Sequence, residues 1–155
     1  MAKAMGGGMP IAACCASKKV AAALSSGTHG STYGGHPVAC AAALASISEI
    51  LDNHLSENAD EVGRYLIKEL SKLPHVKEAR GKGLLAGCEY ELPIAMEVKW
   101  GCMKRHALIT AIGTDINRMI PPLIATKEDV DRLVDIMREA IVEAAEEYRR
   151  KNQAA

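Results

Sequence analysis

Residues 75–90, HVKEARGKGLLAGCEY, decide how the larger part of this 155-residue chain folds. HVKEAR (75–80) and LLAGCEY (84–90) read as strands, because each is a short run bounded by breaker residues. The GKG between them (81–83) supplies the turn. Upstream, Val62, Tyr65, Leu66, Leu70 and Leu73 form one stripe of a helix over roughly 57–72, which Pro74 ends. Downstream come a helix near 94–106, a short strand LIT (108–110), and a strand TDINRMI (114–120) that Pro121 and Pro122 stop. Thr126 caps a final helix, with Asp129 three residues on in the manner of a capping box. Val130, Leu133, Val134, Met137, Ile141, Ala144 and Tyr148 recur along that helix at the 3.6-residue period. The order from 75 to 150 is therefore β-β-α-β-β-α. This predicts an α+β fold, a small mixed sheet with helices packed on one face.

The part before this is different. MAKAMGGGMPI (1–11) places one lysine beside a glycine run. IAACCAS (11–17) is compatible with a short buried strand, and Ser17 can cap a brief helix over 18–24. SSGTHGSTYGGH (25–36) is a loop, and Pro37 suits the first turn of a helix over 37–51. Alanine at 39, 41, 42, 43 and 45 implies close packing on several sides of that helix, with Leu44, Ile47 and Leu51 on its deepest face. Residues 1–48 hold Lys3, Lys18 and Lys19 and no acid, together with seven of the 13 glycines. Two parts follow: 1–48, loop-rich and mildly cationic, and 49–155, an ordinary globular domain.

Lys plus Arg and Asp plus Glu both number 19, so no global field points to nucleic acid or to a membrane. Aromatic residues are 3% and Phe is absent, which leaves the core to Ala, Leu, Ile, Val and Met. Five cysteines without metal-site rhythm, no signal peptide and no long apolar run suggest a reduced, cytoplasmic protein. Cys14 and Cys15 read as small buried hydrophobes.

Two stretches could carry chemistry. Glycine-rich backbone approaches phosphate closely, and exposed N–H groups with Ser or Thr hydroxyls bind it. Neither GxxxxGK[ST] nor GxGxxG is present, so a nucleotide has no positive signature. A lysine in such a setting can form a Schiff base with an aldehyde cofactor. His29 and His36 have no third residue spaced to complete a metal site, so they read as loop residues. Lys82 reads as a solvated turn residue.

AKAMGGGMPIAACCAS followed by GTHGSTYGGHPVACAAAL resembles the class III aminotransferases that depend on pyridoxal 5'-phosphate (PLP), the ornithine, acetylornithine and 4-aminobutyrate type. The likeness continues through VKEARGKGLLAG and INRMIPPLIATKEDVD to the last helix, and its wording is most similar to acetylornithine aminotransferases. The resemblance implies that Lys3 is the catalytic, cofactor-bearing lysine and shuttles a proton between substrate Cα and cofactor. It implies that Thr32 binds the PLP phosphate from a neighbouring subunit, that Ser31 lies at the substrate, and that Arg118 meets a substrate carboxylate. A structural salt bridge is the alternative for Arg118. His36 departs from the family, which usually has Asn before this proline.

The resemblance further implies a cytoplasmic homo-oligomer, a homodimer by family habit, that acts in arginine biosynthesis. It would convert acetylornithine and 2-oxoglutarate into N-acetylglutamate semialdehyde and glutamate. Residues 1–48 would be the end of the large α/β, PLP-binding domain of a fold-type I enzyme, and 49–155 its small C-terminal α+β domain. The family's ring-nitrogen aspartate, stacking aromatic and glycine-rich phosphate loop have no counterpart here, so the chain is expected to be truncated and inactive alone. The alternatives are a non-catalytic folded remnant that self-associates or, among enzymes, an ornithine or 4-aminobutyrate aminotransferase. Neither nucleic acid, membrane nor metal is expected.

Overall fold

The computed structural model describes residues 1–153. The chain divides into two compact units, Met1–His54 and Leu55 onward.

In the first unit, a single 3₁₀ turn, Lys3–Gly6, is followed by Gly7 and Gly8 at φ 58° and 109°. These left-handed angles explain the glycine run, since side-chain-bearing residues rarely adopt them. Helix α1 (Lys18–Ala21) is shorter than the expected 18–24, and the Ser17 hydroxyl accepts the Val20 N–H at 3.4 Å as its cap. Helix α2 (Pro37–Asp52) begins on proline as expected. Residues 11–17 form no strand, and Cys14 and Cys15 are exposed rather than buried. An apolar run of this length needs a partner strand, and among the described residues it has none.

The packing of α2 also differs from expectation. Ala39 and Ala43 are its buried residues, while Leu44, Ile47 and Leu51 are 69%, 41% and 66% exposed. The small residues are the ones that admit the glycine turn: a Cβ on Gly7 would lie 2.8 Å from the Ser46 hydroxyl oxygen. Leu44 and Leu51 lie roughly 80–100° round the helix from Ala43 and so point elsewhere.

The second unit contains α3 (Leu55–Leu70), β1 (Val76–Lys82), β2 (Leu85–Tyr90), α4 (Ala95–Lys104), β3 (Thr110–Ile112), β4 (Ile116–Met119) and α5 (Lys127–Gln153). The order β-β-α-β-β-α is as read from the sequence, with the third strand two residues later than LIT. The sheet runs β1-β2-β4-β3. Each of its three pairings is antiparallel, so the sheet is not mixed. The strands alternate. Ala86, Cys88, Tyr90, Asn117 and Met119 are buried, and Leu85 and Arg118 are exposed.

Helices α3, α4 and α5 supply the rest of that core through Val62, Leu66, Leu70, Val98, Cys102, Val130, Met137 and Ile141. Two glycines let the layers close. A Cβ on Gly63 of α3 would sit 2.1 Å from the Gly83 carbonyl oxygen in the strand turn. One on Gly101 of α4 would sit 2.8 Å from the Ala140 Cβ of α5. The capping box forms: the Thr126 hydroxyl accepts the Asp129 N–H at 3.2 Å, and the Asp129 carboxylate accepts the Thr126 N–H at 3.0 Å.

Candidate functional site

Lys3 opens the 3₁₀ turn at φ 55°, a left-handed conformation that costs a residue bearing a side chain. The Ala13 N–H donates to the Met1 carbonyl at 2.8 Å, which ties the two ends of the glycine loop. Lys3 is exposed, and among the described residues its amine has no ion-pair or hydrogen-bond partner.

Ser31 and Thr32 sit in the loop before α2, both exposed. Backbone turns shape this loop, with the Gly34 N–H on the Ser31 carbonyl at 3.3 Å and the His36 N–H on the Tyr33 carbonyl at 3.2 Å. Ser31 lines a cleft of about 410 Å³ together with Ile11, His29, Tyr33, His36 and Ala39, whereas neither Lys3 nor Thr32 lines it. The structure thus brings Ser31 to the segment after the glycine turn. No metal-holding group of three or more ligands occurs among the described residues.

A primary amine without a partner and two exposed hydroxyls are the donor types that an aldehyde and a phosphate require. In chemical type, though not in a shared cleft, the residues present match those two ends of PLP. The acids of Met1–His54 are Glu49 and Asp52, both near the end of α2, and Glu49 accepts a hydrogen bond from Asn53 at 2.8 Å.

Arg118 belongs to the second unit. It lies on β4, opposite Gly87 of β2 and Thr110 of β3. It is exposed on the sheet face away from the helices, and among the described residues it has no salt bridge. The structural alternative raised for it is thus not realised there. With Arg80, Lys82, Leu85, Gly87, Ile112 and Ile116 it lines an open cleft of about 340 Å³. Lys82, read from the sequence as a solvated turn residue, is exposed and shares this cleft. Strand alternation together with the pairing register would have found it, but no register can be read from one chain's sequence.

The neighbour of Arg118 was also missed. Asn117 is fully buried; its amide donates to the Ala95 carbonyl at 2.9 Å, and its carbonyl accepts the Tyr90 hydroxyl at 2.8 Å. It ties β4 to β2 and to the start of α4, and so fixes the strand from which Arg118 projects. Burial pushes the Tyr90 hydroxyl above its ordinary value, which keeps it a donor. On the open face, Lys77 at 2.6 Å and Arg80 at 2.7 Å hold the Glu89 carboxylate below the usual range.

The profile of the aminotransferase class-III family matches residues 1–141. Acetylornithine aminotransferase of Caldanaerobacter subterraneus subsp. tengcongensis is 38% identical over 147 residues, covering 92% of this chain and 37% of that protein. Among solved structures, acetylornithine aminotransferase from Elizabethkingia anophelis superposes with a TM-score of 0.82 at 32% identity, over 92% of this chain and 39% of that one. An ornithine aminotransferase from Plasmodium yoelii gives 0.84 at 28% identity, over 93% and 41%. The chain thus spans well under half the length of these relatives.

Proposed function

The chain belongs to the class III aminotransferases, and on that premise we propose that it carries the cofactor lysine and the substrate-carboxylate arginine of a PLP-dependent transaminase. PLP supplies an electron sink that stabilises negative charge at the substrate's Cα. Lys3 would hold the cofactor through Nζ, and the same amine would move the proton at the substrate's Cα as a general base. Thr32 binds the phosphate, and Ser31 contacts the substrate. Arg118 orients a substrate carboxylate, for which a planar, bidentate guanidinium is suited.

The substrates proposed are acetylornithine and 2-oxoglutarate, with N-acetylglutamate semialdehyde and glutamate as products, in arginine biosynthesis. The relatives at 38% identity and similar levels that bear the acetylornithine name support this choice. Ornithine and 4-aminobutyrate, which also carry carboxylates, are the other donors to assay. The observation that carries the reading is the free, exposed Arg118 on a cationic cleft, in a chain whose Lys3 amine is also free. We propose homo-oligomerisation in the cytoplasm; the exposed apolar side of α2 supports association, and no described helix is long and apolar enough to cross a membrane.

A second reading is a non-catalytic module that associates through α2. It is favoured by how little the first unit buries, since Gly6, Ala39 and Ala43 are its only buried positions. Borohydride reduction after incubation with PLP, followed by peptide mass mapping, separates the two. Site-selective modification of Lys3, weakened in Thr32→Ala, supports the transaminase reading. Scattered modification of exposed lysines supports the module.

A further inference from the structure

The chain has one tryptophan and no phenylalanine, and it places that tryptophan on the surface. Trp100 lies on α4 and is 49% exposed; Met96 and Met103 on the same helix are 45% and 49% exposed. The three stand at i, i+4 and i+7. At about 100° per residue they fall within about 60° of arc and run about 10 Å along the helix. The opposite side of α4 is committed to the core, with Ala95, Val98, Gly101 and Cys102 buried and Gly101 closed against Ala140 of α5. Single exposed apolar residues are ordinary on a protein surface. A continuous stripe of large ones, opposite the core face, marks a contact surface.

The charges beside the stripe indicate what covers it. Glu97 and Lys104 lie along one edge, one at each end, because residues seven apart differ by only about 20° around a helix. Both are exposed, and among the described residues neither has an ion-pair or hydrogen-bond partner. The acids of α5 beside this edge are already taken, Glu143 by Arg105 and Glu147 by Lys151. On the other edge the Lys99 amine sits over the Trp100 ring, 4.8 Å from its centroid. An acid at one end and a base at the other make the edge self-complementary. A two-fold axis perpendicular to the helix brings the same edge of both copies together with its direction reversed. Glu97 of each copy then faces Lys104 of the other, Trp100 meets Trp100, and each Met96 lies near the other copy's Met103. A parallel pairing would set this edge against the one holding Lys99 and leave Lys104 without a partner.

We propose that the outer face of α4 is a self-recognition surface, on which a second copy of this chain docks antiparallel about Trp100 with two Glu97–Lys104 pairs at the rim. A tryptophan at the centre with charges around it is the usual layout of an interface hot spot. Three large apolar side chains per copy bury less than the roughly 1,200–2,000 Å² of a stable interface, so the contact is weak and reversible. It uses the second unit alone, is a different surface from the apolar side of α2, and does not depend on the aminotransferase reading.

Trp100 is its own reporter, because the full chain has no other tryptophan. The test follows tryptophan emission and sedimentation velocity together across a wide range of protein concentration. A blue shift that tracks dimer formation, with a Kd of about 10–100 μM, is expected. Glu97→Lys and Lys104→Glu should each weaken the dimer about tenfold. An equimolar mixture of the two variants should regain wild-type affinity, because every pair across the two-fold is then opposite in sign. The double variant Leu44→Ser/Leu51→Ser in α2 should leave the emission shift in place. Emission that does not change with concentration, wild-type affinity in both charge variants, or a mixture no tighter than either variant alone would overturn the proposal. Association without an emission shift would put the contact on another face, α2 included, and overturn it as well.

Discussion

Asn117 and Arg118 are adjacent in sequence and opposite in fate, and the strand's alternation assigns both roles. Asn117 turns inward and satisfies the Tyr90 hydroxyl and the Ala95 carbonyl, so Arg118 must turn outward. Asn117→Leu keeps the volume but strands both partners in the core; it should lower stability by about 2–3 kcal/mol in urea denaturation. The loss should be smaller when paired with Tyr90→Phe, because one of the orphans is then removed.

The cysteines separate in the same way. Burial pushes the Cys88 thiol up to about 12 and the Cys102 thiol to about 11. Iodoacetamide at pH 8 should label exposed Cys14 and Cys15 quickly and reach Cys88 and Cys102 only after denaturation, as peptide mass mapping would report. From the sequence, Arg118 was singled out through its motif. Asn117 was not, since an asparagine in a strand gives no sign of facing inward until its partners on β2 and α4 are known.

At the scale of elements, the turn chemistry carried most of the information. Pro37, Pro74, Pro121–Pro122 and the Thr126–Asp129 pair marked boundaries because each acts on the backbone locally. The Asp129 carboxyl lies below its ordinary value of 3.8, first through the Thr126 N–H and then its hydroxyl. A lowered folded value means this contribution is present above the ordinary carboxylate range and is lost as pH falls through the folded value. Asp129→Asn should therefore lower stability near neutrality, where the contribution is fully present, and converge with the wild type at acid pH, which flattens the acid limb of the stability profile. Thr126→Ala should cost about 1 kcal/mol.

Gly63→Ala should cost at least about 2 kcal/mol, because the methyl would collide with the Gly83 backbone rather than with a movable side chain. What the elements hid was direction. The apolar stripe of α2 was expected to be its deep face, yet the alanine row packs on the glycine turn and the leucines are exposed. Composition reveals that a helix is apolar, but which side is covered depends on what lies beside it.

At the scale of the molecule, the two units differ in how much they bury. Every fully buried large side chain belongs to the second unit, from Leu66 to Ile141, and the first unit rests on a glycine turn against two alanines. Native-state hydrogen exchange should show the slowest amides in α3, β1, β2, β4 and the middle of α5, with fast exchange throughout residues 1–36. Uniform protection across both units would contradict this. The second unit was legible because periodicity and turns agree over its whole length. The first was recognised by its motif and not by its packing, which its own residues do little to determine.

The central claim is that Lys3 is a cofactor lysine rather than an untidy terminus. The most direct measurement is a PLP titration of the chain and of Lys3→Ala, read by the visible band of bound PLP and by mapping the borohydride-reduced adduct. The account predicts a saturable band lost in Lys3→Ala, with the adduct on Lys3. An undiminished band in Lys3→Ala, or an adduct spread over Lys18, Lys19 and other exposed lysines, would contradict it.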